Sequence, residues 1–392
     1  MPATSEDIAA SDLRALKQIS DQIRSNQTAM EFKHSPGGPQ FHFGCPQYGP
    51  VSYSIQHLRP TFPGADSPAI LPAIDLYLHI VGYALPIFHT LIHREPTLHP
   101  REDSSKPRVW LYPEPLMTLS VAQKVHTWTY LDRIGESIEW VVGKECKDGP
   151  EMPDGRTTRR GDLPPMLDAG LLGYRSTIMT APRLIDPVED ARRADKFEDE
   201  KWHQFRLATL WLHEMSHAVQ NAVLPCQMGI GRQHIFLGPD SRTSELGFEV
   251  ESKVFGGLLR RSFDAEATLR EWPDPERLQL YQGKIETRGP TECLTRDWLV
   301  LWLVERTHWE RTFDKSFWAE DLMIGNSTAL QLDRAVGISY VFATRGNLSE
   351  REIPTSEKEL EGYERRSENV YVRKNLGCKR WIEFLERMGL QD

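Results

Sequence analysis

Apolar positions Ile8, Leu13, Leu16, Ile19 and Ile23 recur at three- to five-residue intervals, predicting a helix within the first thirty residues. Residues 34–66, beginning "HSPGGPQFHFGCPQYGP", are rich in Gly, Pro and aromatics and predict an irregular but packed loop. A long apolar run follows from Ala69 to Ile92, "AILPAIDLYLHIVGYALPIFHTLI". Its length would span a bilayer. Asp75, His79 and His89 lie inside it, however, and Pro72 and Pro86 break it into pieces. Ionisable groups in hydrocarbon each cost on the order of 3 kcal/mol, so the run predicts a buried helix or helical hairpin and no membrane partner. Helical spacing resumes in "SVAQKVHTWTYLDRIGESIEWVVG".

Residues 144–165, "KECKDGPEMPDGRTTRRGDLPP", are charged, rich in Gly and Pro and nearly free of large apolar side chains, the pattern of a linker. Beyond them "GYRSTIMTAPRLI" has the β-branched content of a strand. The run "EDARRADKFEDEKWHQFRLATLWLHEMSHAVQNAVL" predicts one long helix. Acids crowd its start, where the helix dipole favours them, and Pro225 closes it. A second helix is expected over "ELGFEVESKVFGGLLRRSF", further helix in "RDWLVLWLVERTHWERTF", a strand in "GISYVFATRG" and a charged helical tail. The expected fold class is α+β, mainly α, in two lobes around a cleft. Residues 1–166 form a mostly helical N-terminal lobe, and 167–392 carry a small mixed sheet and a C-terminal helical lobe.

Composition narrows the function. A formal charge of −9 without a basic stripe argues against a nucleic-acid binder, because phosphate neutralisation needs concentrated Lys and Arg. The five cysteines are scattered and none forms a CxxC pair, so neither a disulfide framework nor a cysteine metal site is indicated. The N-terminus has no apolar signal-peptide core, and a cytoplasmic location is expected. Without an export signal, the N-x-S/T sequons at Asn26, Asn326 and Asn347 carry little weight.

The chemistry concentrates in "WLHEMSHAVQ", residues 211–220. On a helix, residues four apart share a face, so His213 and His217 can point both imidazoles at one ion. Zn²⁺ accepts neutral histidine nitrogens, and a catalytic zinc keeps three protein ligands and an open fourth position. Glu214, next to the first histidine, can accept a proton from a water activated there and pass it to a leaving group. The neighbours Leu212, Met215, Ser216, Ala218 and Val219 are uncharged, as a buried metal-bearing helix requires. His89 and His93 are also four apart, but no Glu follows His89 and no acid cluster is near. That pair reads as structural.

With these residues in place, the segment from Gly173 to Leu259 resembles the zincin metallopeptidases, whose active-site helix carries HExxH beneath a strand that aligns substrate. Gln220 and Val223 stand where metzincins place a glycine and a third histidine, which excludes that subclass. No GTxDxxYG segment of the aspartate-using type is present. What remains is the gluzincin arrangement, a glutamate ligand from a following helix. Three glutamates are available. Glu251 lies three after Phe248 and four before Phe255, within an apolar face, and is the expected third ligand. Glu245, at the mouth of the same stripe, is expected to orient a ligand histidine, or to be the ligand itself if the register shifts. Glu249 falls on another side, four before Lys253, as a solvent-exposed ion pair would. The string from Glu245 to Gly257 also resembles a segment of uncharacterised zincin-like proteins of filamentous fungi, which implies that Glu245 and Glu251 both matter.

The resemblance implies a zinc-dependent metallopeptidase cleaving an amide bond in a peptide or small amide-containing substrate. His213, His217 and Glu251 bind Zn²⁺, and Glu214 is the general base. The alternatives are a zinc enzyme acting on a small molecule in a biosynthetic pathway and a non-catalytic zincin-like protein. Tyr340, Tyr363, Arg365 and His234 are candidates for stabilising an oxyanion, and spacing does not choose among them.

Overall fold

The structure, a computed structural model, describes residues 40–45, 49–54, 56–99, 109–143, 154–224, 234–238, 241, 243–262, 266–270, 272, 298–304, 306–318, 330–331, 338–341, 363–367 and 370–373. The helix expected in the first thirty residues lies outside them. The chain is of mixed α and β type with small sheets, in keeping with the α+β expectation.

In chain order the first elements are strands β1 (Gln40–Cys45) and β2 (Gly49–Ser54). They pair antiparallel with Phe41 opposite Tyr53 and Phe43 opposite Val51. This strand pair stands where an irregular loop was expected; the period-two alternation of Phe41–Phe43 and Val51–Tyr53 outweighs the surrounding Gly and Pro. The apolar run becomes α1 (Leu71–Tyr83) and α2 (Leu85–His93). Pro72 and Pro86 each sit in a first turn, where no intrahelical N–H is needed, so they begin helices rather than break one. No single helix among the described residues is long and apolar enough to cross a membrane. The α1–α2 pair reaches that length only together and is bent by 62°. Both helices bury most of their apolar residues.

Strands β3 (Thr97–His99) and β4 (Val109–Leu111) follow, then α3 (Val121–Glu136). A capping box starts α3: Ser120 accepts from the Gln123 amide while Gln123 accepts from the Ser120 amide. The helical expectation extended through "SIEWVV", but those residues form β5 (Ile138–Val142). Next come β6 (Gly155–Arg159), β7 (Ser176–Thr180), α4 (Pro182–Arg193), α5 (Phe197–Val223) and β8 (His234–Phe236). β5 and β7 run parallel, β6 is antiparallel to β7, and the sheet order is β5-β7-β6. A second small sheet has the order β3-β4-β8.

The single long helix expected from Glu189 onward is two helices. Asp195 adopts a left-handed φ of 53°. The Lys196 amide reaches back to Ala191 O at 2.9 Å and the Asp195 amide to Arg192 O at 3.1 Å, the two bonds of a Schellman cap. Aspartate tolerates that backbone because its short polar side chain does.

The chain divides into two compact units, Met1–Pro239 and Asp240–Asp392. β6 lies just before the expected boundary at 166/167. Its five residues come from the expected linker, yet they pair with β7 along their whole length and tie both sides of that boundary into one sheet. In the first unit α5 is the central element, with most of its residues buried around its circumference. Trp211, fully buried, packs against Phe62, Tyr77 and Trp140 at ring separations of 5.9, 6.0 and 6.3 Å.

The second unit holds α6 (Leu246–Phe255), β9 (Leu258–Ser262), β10 (Glu266–Arg270), β11 (Trp298–Leu303), α7 (Arg306–Glu310), β12 (Ile338–Val341), β13 (Tyr363–Ser367) and β14 (Val370–Arg373). Its strands form an antiparallel six-stranded sheet in the order β13-β14-β12-β11-β10-β9. Here helix was over-predicted. "LLRRS" and "WLVLWL" are strands, and "YERRS" and "VYVR" replace part of the helical tail. Short apolar runs do not separate helix from strand by periodicity, and pairing with neighbours decides. The strand expected over "GISYVFATRG" is present as β12.

Candidate metal centre

α5 carries both histidines on a rigid, buried backbone. Trp211, two residues before His213, donates its indole N–H to Thr180 Oγ1 of β7 at 3.0 Å. Towards the helix start, Gln204 donates to Ala69 O at 2.7 Å, and Glu200 accepts from Arg192 at 2.9 Å. The helix is therefore pinned along its length before and at the turn bearing the motif.

His213 Nε2 and His217 Nε2 stand 3.3 Å apart, with the rings inclined at 65°. Two nitrogens each about 2.05 Å from a tetrahedral zinc would be separated by about 3.3 Å, so the spacing matches the edge of such a coordination shell. The same contact serves an N–H···N bond when one ring carries its proton on Nε2. An ion takes that place when both rings present lone pairs there.

Glu214 is buried, and Thr157 of β6 holds it. Thr157 Oγ1 lies 2.7 Å from Glu214 Oε2 and 2.9 Å from Glu214 O. The hydroxyl has one proton, and the shorter contact to the carboxylate is the stronger acceptor. Gly155, two residues earlier on the strand, leaves room for the other oxygen: a Cβ at that position would meet Glu214 Oε1 at 2.7 Å. Neither residue was anticipated, because "GRTTR" sits in a charged, Gly/Pro-rich run. Its adjacent β-branched threonines were the one available strand signal.

Among the described residues one group of three side chains could hold a metal: His213, His217 and Glu245, whose ligand atoms all lie within 4.8 Å of one another. Glu245 is the N-cap of α6, with extended backbone, and its Oε2 accepts from the Phe248 amide at 2.7 Å. Glu251 is buried as its helical position implied, but it is not in this group. Glu245 is the cap rather than a position within the helix, and it turns its carboxylate back over the first turn.

Glu249 departs from the expectation of a solvent-exposed side chain. It is buried. Its Oε1 accepts from the Thr243 amide at 2.8 Å, Thr243 Oγ1 at 2.9 Å and the Trp272 indole N–H at 3.1 Å. The side chains of His234, Tyr340, Tyr363 and Arg365 lie outside the described residues, although their backbones are placed on β8, β12 and β13.

His89 and His93 behave as expected of a packed pair. His89 is buried, with Nδ1 2.9 Å from Thr127 Oγ1, and His93 stacks on His126 at 4.5 Å. Burial, and then the nearby charges of Arg94 and His126, hold the His89 pKa below its ordinary value.

The metal group fits its donor set. Two imidazole nitrogens and one carboxylate, on adjacent turns and a helix cap, are donors that could hold a metal ion. Searches of protein-family models, curated proteins and solved structures find no match to this chain.

Proposed function

We propose that the chain is a zinc-dependent hydrolase of the metallopeptidase type, built on a zincin-like core and cleaving an amide bond. His213 and His217 are two of the ligands, and Glu245 is the third in place of Glu251. The observation that carries this reading is the convergence of those three side chains, with a glutamate next to the first histidine. Bound there, zinc would polarise a carbonyl and lower the pKa of a water toward neutrality.

Glu214 accepts a proton from the attacking water and delivers it to the amide nitrogen as the C–N bond breaks. Thr157 keeps its carboxylate facing β6, and Gly155 keeps that side clear. β6 is an edge strand among the described residues of its sheet. Its outer amides and carbonyls suit an extended peptide, which supports a peptide substrate over a compact small molecule. The test is hydrolysis of a mixed pool of quenched fluorescent peptides by zinc-loaded protein. Cleavage abolished by a chelator and restored by zinc supports the proposal; no cleavage of any peptide in the pool contradicts it.

A further inference from the structure

Resting on the reading of Glu245 as a zinc ligand, we propose that Thr243, Glu249 and Trp272 form a positioning lock that sets this carboxylate. Thr243 is the hub. Its hydroxyl donates to Glu249 Oε1 at 2.9 Å, and its oxygen accepts from the Trp272 indole at 3.0 Å and from the Glu245 amide at 3.3 Å. The Trp272 N–H is shared with Glu249 Oε1 at 3.1 Å, which also takes the Thr243 amide at 2.8 Å. Thr243, Glu249 and Trp272 are all buried, and Trp272 packs on Phe248 with ring centroids 4.5 Å apart. Phe248 supplies the amide that holds Glu245 Oε2 at 2.7 Å.

The main chain of Glu245 is thus fixed from the Thr243 side and its carboxylate from the Phe248 side. The buried Glu249 carboxylate, with three donors on one oxygen, is a costly way to fix the turn before a short helix, since neutral groups would serve. Its placement is accounted for if the cap must hold a ligand in one orientation. Groups that orient a ligand in this way set metal affinity without touching the ion.

The test is zinc affinity, read by competition with a chromophoric chelator on metal-free full-length protein, beside the unfolding midpoint of each metal-free variant. Thr243→Val keeps the shape and removes the hydroxyl, and is expected to weaken zinc binding about 10–100-fold in protein that still unfolds cooperatively. Thr243→Ser restores the hydroxyl and is expected to bind within about threefold of wild type, since the orienting group is kept. If Thr243→Val does not fold, Trp272→Phe carries the test: it keeps a ring on Phe248, removes the shared N–H and is expected to weaken binding about tenfold. Folded Thr243→Val, or in its place folded Trp272→Phe, binding zinc like wild type overturns the lock alone. A wild-type chain that binds no zinc overturns the ligand reading and the lock together.

Discussion

Thr157→Val isolates the contact that orients Glu214. Valine is nearly isosteric with threonine and equally β-branched, so β6 keeps its strand preference and shape while the hydroxyl is lost. The 2.7 Å bond to Glu214 Oε2 disappears, and the carboxylate is only 4% exposed, so water replaces the donor poorly. A hydrogen bond to a charged group contributes about 1.5–3 kcal/mol, and a buried acceptor left without its donor costs a similar amount. A loss of about 2 kcal/mol is therefore expected for metal-free protein. In a unit the size of Met1–Pro239 that corresponds to a Tm lower by about 4–8 °C. Thr157→Ser keeps the hydroxyl and loses one methyl, costing about 0.8 kcal/mol. Urea unfolding followed by tryptophan fluorescence measures both. If Thr157→Val is as stable as Thr157→Ser, the hydroxyl does not hold the carboxylate and the orientation argued for Glu214 is wrong.

Three further outcomes are expected. Glu214→Gln should bind zinc like wild type while peptide turnover falls at least about 100-fold, the usual share of a general base; turnover within tenfold of wild type would remove Glu214 from that role. Gly256 ends α6 with φ at 79°, so Gly256→Ala should cost about 1–2 kcal/mol in urea unfolding, and an unchanged midpoint would show that the turn relaxes freely. The depressed pKa of His89 means that the unfolded chain binds more protons in the window below about 6.5. Stability should therefore rise with pH through that window and be lost on acidification. His89→Gln should flatten the slope measured by unfolding between pH 5 and pH 7, and an identical slope would refute the assignment.

The sequence carried the histidine pair, the glutamate beside it and the helix that bears them, because a four-residue spacing on a long apolar helix needs no tertiary information. It carried the burial of the Ala69–Ile92 run for the same reason. The placement of Glu245 was harder to read, because it depends on where α6 begins, and a one-residue difference in a helix start turns a face position into a cap. Thr157 and Gly155 were hidden because a strand of "GRTTR" owes its existence to pairing with β7, not to its own pattern. The same holds for "WLVLWL", which two flanking strands make β although its apolar run fits either structure. Asp195 ended a helix that periodicity alone would have continued, through a cap that uses aspartate where glycine is the usual signal.

The central claim is that His213, His217 and Glu245 bind zinc. It is tested most directly by the zinc content of purified, exhaustively dialysed wild-type, Glu245→Ala and Glu251→Ala proteins, measured by atomic emission. About one zinc per chain is expected in wild type, little in Glu245→Ala, and near wild-type content in Glu251→Ala. No zinc in the wild type, or zinc kept by Glu245→Ala and lost by Glu251→Ala, would contradict it.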